Sequence, residues 1–189
     1  MDRRISGIAV TALCLGFILP MSAFAQDEDH ATHNGSGIGF HETIAPLGFR
    51  HWFGSQKVAL DLGVGFGSTP SLVFAGEHLK DWAISAGVPI VLKSWPRVHV
   101  LFRPGVTYQS QQVEATAPPT AFDTESEKTL NIKAEIEGEA FILENFSVSA
   151  STGVGYESFD PGFGLDKENS FRTFGGNWTQ VGFHVYICK

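Results

Sequence analysis

The sequence predicts an all-β protein, an eight-stranded antiparallel up-and-down transmembrane β-barrel, on the basis of three observations. Most of the chain after Gly37 alternates between apolar and polar residues, a period typical of strands with unlike faces. The connections between these segments are alternately short and long, as in outer-membrane barrels. The first 25 residues have the layout of an export signal.

The N-terminal segment, residues 1–25, is expected to be a cleaved signal peptide. Two arginines precede an apolar stretch that ends before Pro20, and residues 23–25 form an A-x-A cleavage site. The apolar stretch is too short for a permanent membrane helix. Residues 26–35 are polar, acidic and aperiodic, which predicts a disordered periplasmic leader. The barrel domain is therefore expected to comprise residues 36–189.

Charge and cysteine content exclude several classes of protein. The formal net charge is −7 at pH 7, and without a basic stripe the chain is not expected to bind nucleic acid. Cys14 lies in the predicted signal peptide, so only Cys188 remains and no internal disulfide is expected. After residue 25 no stretch approaches the roughly 20 apolar residues of a helical membrane span. A membrane-spanning form must then be a closed barrel, which satisfies its backbone groups between strands.

The alternating segments predict the strands in chain order. Residues 36–53 change parity at Ala45-Pro46, which favours two strands, 36–43 and 46–53, because proline interrupts strand pairing. One long strand with a bulge is the alternative. The split gives an even number of strands, which places both chain ends on the periplasmic side. The remaining strands are predicted at 57–67, 80–92, 97–109, 129–142, 146–157 and 173–187.

The connections predict the two rims of the barrel. The turns at 53–56, 93–96 and 144–145 are short, whereas the segments 68–79, 110–128 and 159–172 are long and rich in Gly, Pro, Ser, Thr and charge. Short turns at one rim and long loops at the other describe an up-and-down outer-membrane barrel. Loops held on a rigid scaffold are also where binding sites tend to lie.

The polar face of the strands predicts what fills the barrel. An eight-stranded barrel has an interior just wide enough for side chains, and buried charges are costly unless they are paired. Arg50, Arg103 and Lys133 are therefore expected to be the counterions of several carboxylates. The predicted lumen charge network consists of Arg50, Asp61, Asp81, His99, Arg103, Lys133, Glu135, Glu137, Glu139, Glu157 and His184.

Aromatic residues cluster near the predicted strand ends. Membrane barrels carry girdles of aromatic residues at both membrane interfaces, and aromatic side chains beside the short turns favour such girdles over an ordinary soluble core. The residues expected there are Trp52, Phe53, Trp82, Trp95, Phe141, Phe146 and Tyr186.

Two segments resemble a known family. The run GIGFHETIAPLGFRHWFGSQKVALDLGVGFG, residues 37–67, is similar to the opening of bacterial outer-membrane β-barrel domain proteins. The closing QVGFHVYI, residues 180–187, resembles their terminal strand, although Cys188 and Lys189 follow where such proteins often end on an aromatic residue. The resemblance implies a small OmpA/OmpX-like barrel in outer-membrane lipid, whose terminal strand is its signal for the barrel-assembly machinery.

The sequence offers no pattern that predicts catalysis. It lacks a phosphate-binding loop, a paired-cysteine metal site and a G-x-S-x-G nucleophile elbow, so no catalytic, cofactor or metal residues are assigned. The first hypothesis is a non-enzymatic outer-membrane barrel with a structural or surface-interaction role. The alternatives are a lipid-modifying barrel enzyme and a soluble periplasmic lipocalin-like binder. The extracellular partner is not identified by the sequence.

Overall fold

The computed structural model describes residues 35–40, 42–54, 56–70, 77–115, 126–162, 165–173 and 179–188. The predicted signal peptide, 1–25, and all of the predicted leader except Gly35 lie outside these residues. Within the described ranges, no helix is long and apolar enough to cross a membrane. The strands are β1 (Gly35–Phe40), β2 (Leu47–Trp52), β3 (Ala59–Pro70), β4 (Glu77–Gly87), β5 (Ile90–Trp95), β6 (Val98–Ala115), β7 (Ser126–Leu143), β8 (Phe146–Asp160), β9 (Glu168–Arg172) and β10 (Thr179–Cys188).

The strands form one closed antiparallel barrel, which confirms the predicted fold class. Neighbouring strands pair in the order β10, β1, β2, β3, β4, β6, β7 and β8, and the pairing of β10 with β8 closes the ring. Strand β5 continues β4 along β6 beyond a break at Pro89, which has no N–H to donate. Strand β9 pairs with the outer half of β8, where β10 has ended. Because β4 with β5, and β9 with β10, each occupy one position in the ring, the ten described strands fill eight strand positions.

The first predicted element is two strands, as the parity change at Ala45-Pro46 indicated. Strands β1 and β2 pair directly, with Ile38 opposite Phe49. The connection between them is not the predicted tight turn, because Glu42 and Ala45 are buried at 1% and 0% exposure. It bends into the lumen and packs on β3, where a methyl group on Gly65 would overlap the carbonyl oxygen of Ile44.

The strands on one side of the barrel are longer than the sequence predicted. Strands β6 and β7 have 18 residues each, so much of the predicted loop 110–128 is strand. Strand β9 likewise lies inside the predicted loop 159–172. These extensions carry polar residues such as Gln111 and Gln112, which continue the backbone ladder without the apolar face that marks a strand in the sequence.

The barrel has a polar interior and an apolar exterior. Outward-facing side chains such as Ile38, Phe66 and Val181 are exposed at 61%, 79% and 68%. Inward-facing Arg50 and Glu139 are completely buried. We call the end that carries Gly35, Cys188 and the short turns after β2, β5 and β7 the inner rim, and the opposite end the outer rim.

Candidate functional site

Near the inner rim the lumen is filled by an apolar layer. Trp52, Ala59, Leu101, Phe141 and Tyr186 pack together here, each exposed at 4% or less. Three of them, Trp52, Phe141 and Tyr186, were predicted to form lipid-facing girdles, and that prediction is wrong. They lie on the inward face of their strands, whereas Phe53, Trp82 and Trp95 do face outward, exposed at 37% or more.

The ring of His99 also belongs to this apolar layer, which we call the aromatic layer. It lies edge-on against Phe141, with the ring centroids 5.0 Å apart, and against Trp52 at 6.0 Å. The indole Nε1 of Trp52 donates to the hydroxyl of Tyr186 over 3.4 Å. On the other side, the guanidinium of Arg50 lies 5.9 Å from the Trp52 ring centroid, a favourable cation–π geometry. Apolar and charged layers are therefore in direct contact.

Arg50 is the centre of the charged layer above. Its Nε and Nη2 donate to the two oxygens of Asp61 over 2.7 and 2.9 Å. Asp61 stands directly opposite Arg50 on β3, so their pairing follows from the strand register. From β7, Glu137 accepts from Nη2 at 3.0 Å and Glu139 from Nη1 at 3.2 Å. One guanidinium thus ties β2 to β3 and, through the lumen, to β7.

Arg103 makes a second set of ion pairs in the same layer. Its Nε donates to Asp61 over 2.8 Å and its Nη1 to Glu135 over 2.7 Å. Glu135 is its direct cross-strand neighbour on β7. Asp61 therefore bridges the two guanidiniums, and the network joins four strands, β2, β3, β6 and β7.

Hydroxyl groups complete the hydrogen bonding of two of the buried carboxylates. Glu139 accepts from Ser147 over 2.6 Å and from Tyr186 over 2.7 Å. Glu135 accepts from Ser151 over 3.3 Å. His184 is fully buried, and its Nδ1 lies 4.0 Å from Glu139. These hydrogen bonds offset the cost of burying the two charged carboxylates, which are therefore stable in the interior.

Glu42 forms a third layer, nearer the outer rim, and the sequence did not single it out. Its Oε1 accepts from Lys133 over 2.5 Å and from Thr107 over 2.7 Å. Both donors lie on the inner wall, on β7 and β6. The connection that carries Glu42 therefore acts as an internal plug, fastened to the opposite wall by an ion pair and seated against glycines of β3.

The structure divides the eleven predicted lumen residues by height. Asp61, Glu135, Glu137 and Glu139 meet Arg50 and Arg103 in the central layer, and His184 lies beside them. Lys133 belongs to the plug, and His99 to the aromatic layer. Two are not brought into this buried network: Asp81 is partly exposed towards the outer rim, and Glu157 pairs with Arg172 of β9 over 3.2 Å.

Beyond the outer rim, exposed ion pairs accompany the end of β8. Lys167 lies 3.0 Å from a carboxylate oxygen of Asp160, and the backbone N–H of Gly162 donates to the other over 3.2 Å. The hydrogen bond from Lys167 lowers the pKa of Asp160, and the Gly162 N–H adds to the effect. Gly162 has a φ of 72°, a left-handed turn conformation that favours glycine.

Taken together, these features define a class of protein. A closed eight-stranded antiparallel barrel, with a charged interior and an apolar exterior, has the fold of the small OmpA/OmpX-type barrels. Among the residues that the structure describes, no group of three His, Cys, Asp or Glu side chains is arranged to hold a metal ion.

Comparison with known proteins gives one structural likeness. A scan against protein-family models finds no match to the sequence, and a search of curated proteins finds none either. Among solved structures, the chain is similar to the crystal structure of Ail, the attachment invasion locus protein of Yersinia pestis. The TM-score is 0.44 and the sequence identity 13%, over 82% of this chain and 100% of that chain.

Proposed function

We propose that the chain is an outer-membrane barrel protein with a structural or surface-interaction role and without enzymatic activity. The observation that carries the proposal is the one-sided extension of the barrel. Strands β6 and β7 have 18 residues each, whereas β1 and β2 have six. About 9–11 residues suffice to cross the hydrocarbon core. The longer strands therefore project from the outer rim and present a rigid sheet to the exterior.

The outward surface supports a location in lipid. Large apolar side chains are exposed around the barrel, for example Leu62 at 44%, Ile136 at 49% and Val185 at 45%. A soluble protein avoids contiguous apolar surface of this extent, whereas the lipid-facing side of a membrane barrel requires it. A lipocalin-like binder would have the opposite arrangement, with an apolar cavity inside and polar side chains outside.

The filled lumen supports a surface role over transport. Three successive layers occupy it: the aromatic layer around Trp52, the ion pairs around Arg50 and the plug around Glu42. A porin needs a water-filled channel, which barrels of this strand number do not leave. The outer sheet is then the part of the molecule that can meet another macromolecule.

The location is tested by membrane fractionation of the expressed protein, followed by gel migration with and without boiling. We expect recovery in the outer membrane and a mobility that changes on heating, because a closed barrel resists detergent until it is heated. Recovery in the soluble periplasmic fraction, with no change of mobility, would contradict the proposal and point to ligand binding by an inverted barrel.

The surface role is tested by shortening the outer sheet. Gln109 and Thr129 are direct neighbours on β6 and β7, so residues 110–128 can be replaced by an Asn-Gly turn that suits a hairpin. We expect cells that express the intact chain to adhere to host cells more than cells with an empty vector, and the shortened variant to lose this gain. Heat-dependent mobility of the variant is the folding control. Equal adhesion of all three strains would leave only a structural role.

One observation favours the lipid-modifying enzyme as a second candidate. Ser36 and His51 face outward on β1 and β2, and the hydroxyl of Ser36 lies 3.0 Å from Nδ1 of His51. A serine beside a histidine is the start of a nucleophile–base pair. His51 also packs against the rings of Phe49 and Phe53, neither of which can orient an imidazole as a carboxylate does. Release of fatty acid from phospholipid micelles by the wild type, abolished in Ser36→Ala, would establish this candidate.

A further inference from the structure

The central layer of the lumen contains more buried carboxylates than buried cations. Among the described residues, Asp61, Glu135, Glu137 and Glu139 share it with two guanidiniums, those of Arg50 and Arg103, and every one of these side chains is exposed at 3% or less. The third buried cation, Lys133, is engaged by Glu42. An unpaired charge in a protein interior is strongly unfavourable. The layer must therefore bind a further cation or a proton.

The donors are distributed unequally among the four carboxylates. Asp61 accepts three hydrogen bonds from the two arginines, Glu139 accepts from Arg50, Ser147 and Tyr186, and Glu135 from Arg103 and Ser151. Glu137 has one donor, Nη2 of Arg50, and that nitrogen also serves Asp61. Of the four, Glu137 gains least from remaining ionised.

The two oxygens of Glu137 differ in their surroundings. Nη2 of Arg50 lies 2.9 Å from Oε1 and 3.0 Å from Oε2, but it is aligned to donate only to Oε2, which leaves Oε1 without a hydrogen bond. Glu137 also borders a cavity of about 10 Å³, close to the least volume that holds one water. The cavity is lined by Arg103, Glu137, Ser149, Ser151, Gln180 and Gly182.

We propose that the lumen is a proton-binding site, with Glu137 as the carboxyl group that carries the proton in the folded barrel at neutral pH. The protonated Oε1 donates a hydrogen bond into the cavity, and Oε2 still accepts from Arg50. One negative charge is removed without any new ion. Among the described residues, the charged and titratable groups that share the buried lumen with Glu137 are Arg50 on β2, Asp61 on β3, His99 and Arg103 on β6, Lys133, Glu135 and Glu139 on β7, His184 and Tyr186 on β10, and Glu42 in the plug.

The proposal has a consequence for stability against pH. A glutamate in the unfolded chain releases its proton near pH 4.3, whereas the folded barrel keeps the proton on Glu137. Above that pH the folded state binds one more proton than the unfolded state, so stability falls as pH rises. The folding equilibrium constant of the wild type should fall by up to about tenfold per pH unit relative to a variant without this group.

The direct test is infrared spectroscopy of the full chain in detergent micelles. We expect a carboxylic-acid C=O band at neutral pH that shifts in D2O and disappears in Glu137→Gln. The matched control is Glu139→Gln, two residues away on the same face of β7, which should keep the band. Absence of the band in the wild type between pH 6 and 8, or its persistence in Glu137→Gln, would overturn the proposal.

A second measurement uses urea unfolding in micelles as a function of pH. We expect Glu137→Gln to match the wild type near pH 5 and to exceed it increasingly from pH 6 to pH 9. Parallel pH profiles for the two proteins would contradict the proposal even if Glu137→Gln proved less stable throughout. Because both tests need only the folded barrel, their failure would leave the proposed surface role unaffected.

Discussion

Glu42 lies in a connection between two strands, yet its carboxylate reaches β6 and β7 on the inner wall. The side chain is 1% exposed, and Oε1 takes hydrogen bonds from both Lys133 and Thr107. Glu42 therefore fixes the position of the whole connection through one ion pair. The chemistry of this pair decides how firmly the plug is held.

Replacement of Lys133 by methionine should destabilise the barrel. The change keeps the length of the side chain and leaves Glu42 as a buried carboxylate without its cation, which typically costs about 3 kcal/mol or more. Urea unfolding in micelles measures the loss. The control is Lys128→Met on the exposed part of the same strand, where we expect a change close to zero.

The double variant Glu42→Gln with Lys133→Met separates the pair from its surroundings. With both charges removed, the unpaired carboxylate is gone, and most of the stability lost in Lys133→Met should return. A double variant no more stable than Lys133→Met would show that the methionine itself disturbs the packing and that the ion pair is not the cause.

Tyr186 joins the aromatic layer to the charged layer. Its ring packs near Phe141, with centroids 5.9 Å apart, and its hydroxyl donates to Glu139 over 2.7 Å. Tyr186→Phe keeps the packing and removes a hydrogen bond to a buried charge, a loss of about 2 kcal/mol. Thermal unfolding should show this loss, whereas Tyr156→Phe on the outward side of β8 should show none. Equal effects would mean that the hydroxyl contact contributes nothing.

At the scale of the elements, the sequence predicts the strands well because alternation records the contrast between lipid and lumen. The strand positions follow from alternation, and the division of residues 36–53 follows from the change of parity at Ala45-Pro46 together with the even strand number of a barrel. Two features do not. The polar extensions of β6 and β7 lack that contrast, because both of their faces carry polar residues. The insertion of Glu42 has no periodic signal, because it depends on a bend between strands.

The aromatic residues show a second limit of what the sequence predicts, namely which side of the barrel wall a side chain faces. Parity places Tyr186 on the polar face with His184, which is where the structure has it. Its nearness to a strand end suggested a girdle, but the side on which a residue faces decides between lipid and lumen. Gly63 and Gly65 leave room for the backbone of the plug, a role that alternation alone does not predict.

The seat of the plug on β3 can be tested through Gly65. Its added methyl group would overlap the carbonyl oxygen of Ile44 and meet Cδ of Pro46 at 3.0 Å, so Gly65→Ala should displace the connection and cost about 1–3 kcal/mol. Gly138→Ala is the matched control, because nothing lies within 4 Å of the position its methyl group would take. Equal stability of the two variants, by urea unfolding in micelles, would contradict the close seating.

In the whole molecule, the three layers fill the interior of a closed barrel. The closing pair of β10 with β1, and of β10 with β8, leaves the ring without an edge within the described residues. Inside it, arginines and carboxylates from strands far apart in sequence contact each other, as Arg50 does with Glu139. The strand pairing and the cross-lumen ion pairs both stabilise the closed ring that carries the outer sheet.

This closed base predicts that the protein does not conduct ions. Leu101, Phe141 and Tyr186 pack in the aromatic layer, each exposed at 4% or less, and the charged and plug layers lie above it. In planar bilayers we expect no current above that of protein-free membranes at moderate voltage. The barrel must be shown to be inserted by its heat-dependent gel mobility. Stepwise single-channel currents from the inserted protein would mean that all three layers open together, and the molecule would then be a gated pore and not a scaffold for its outer sheet.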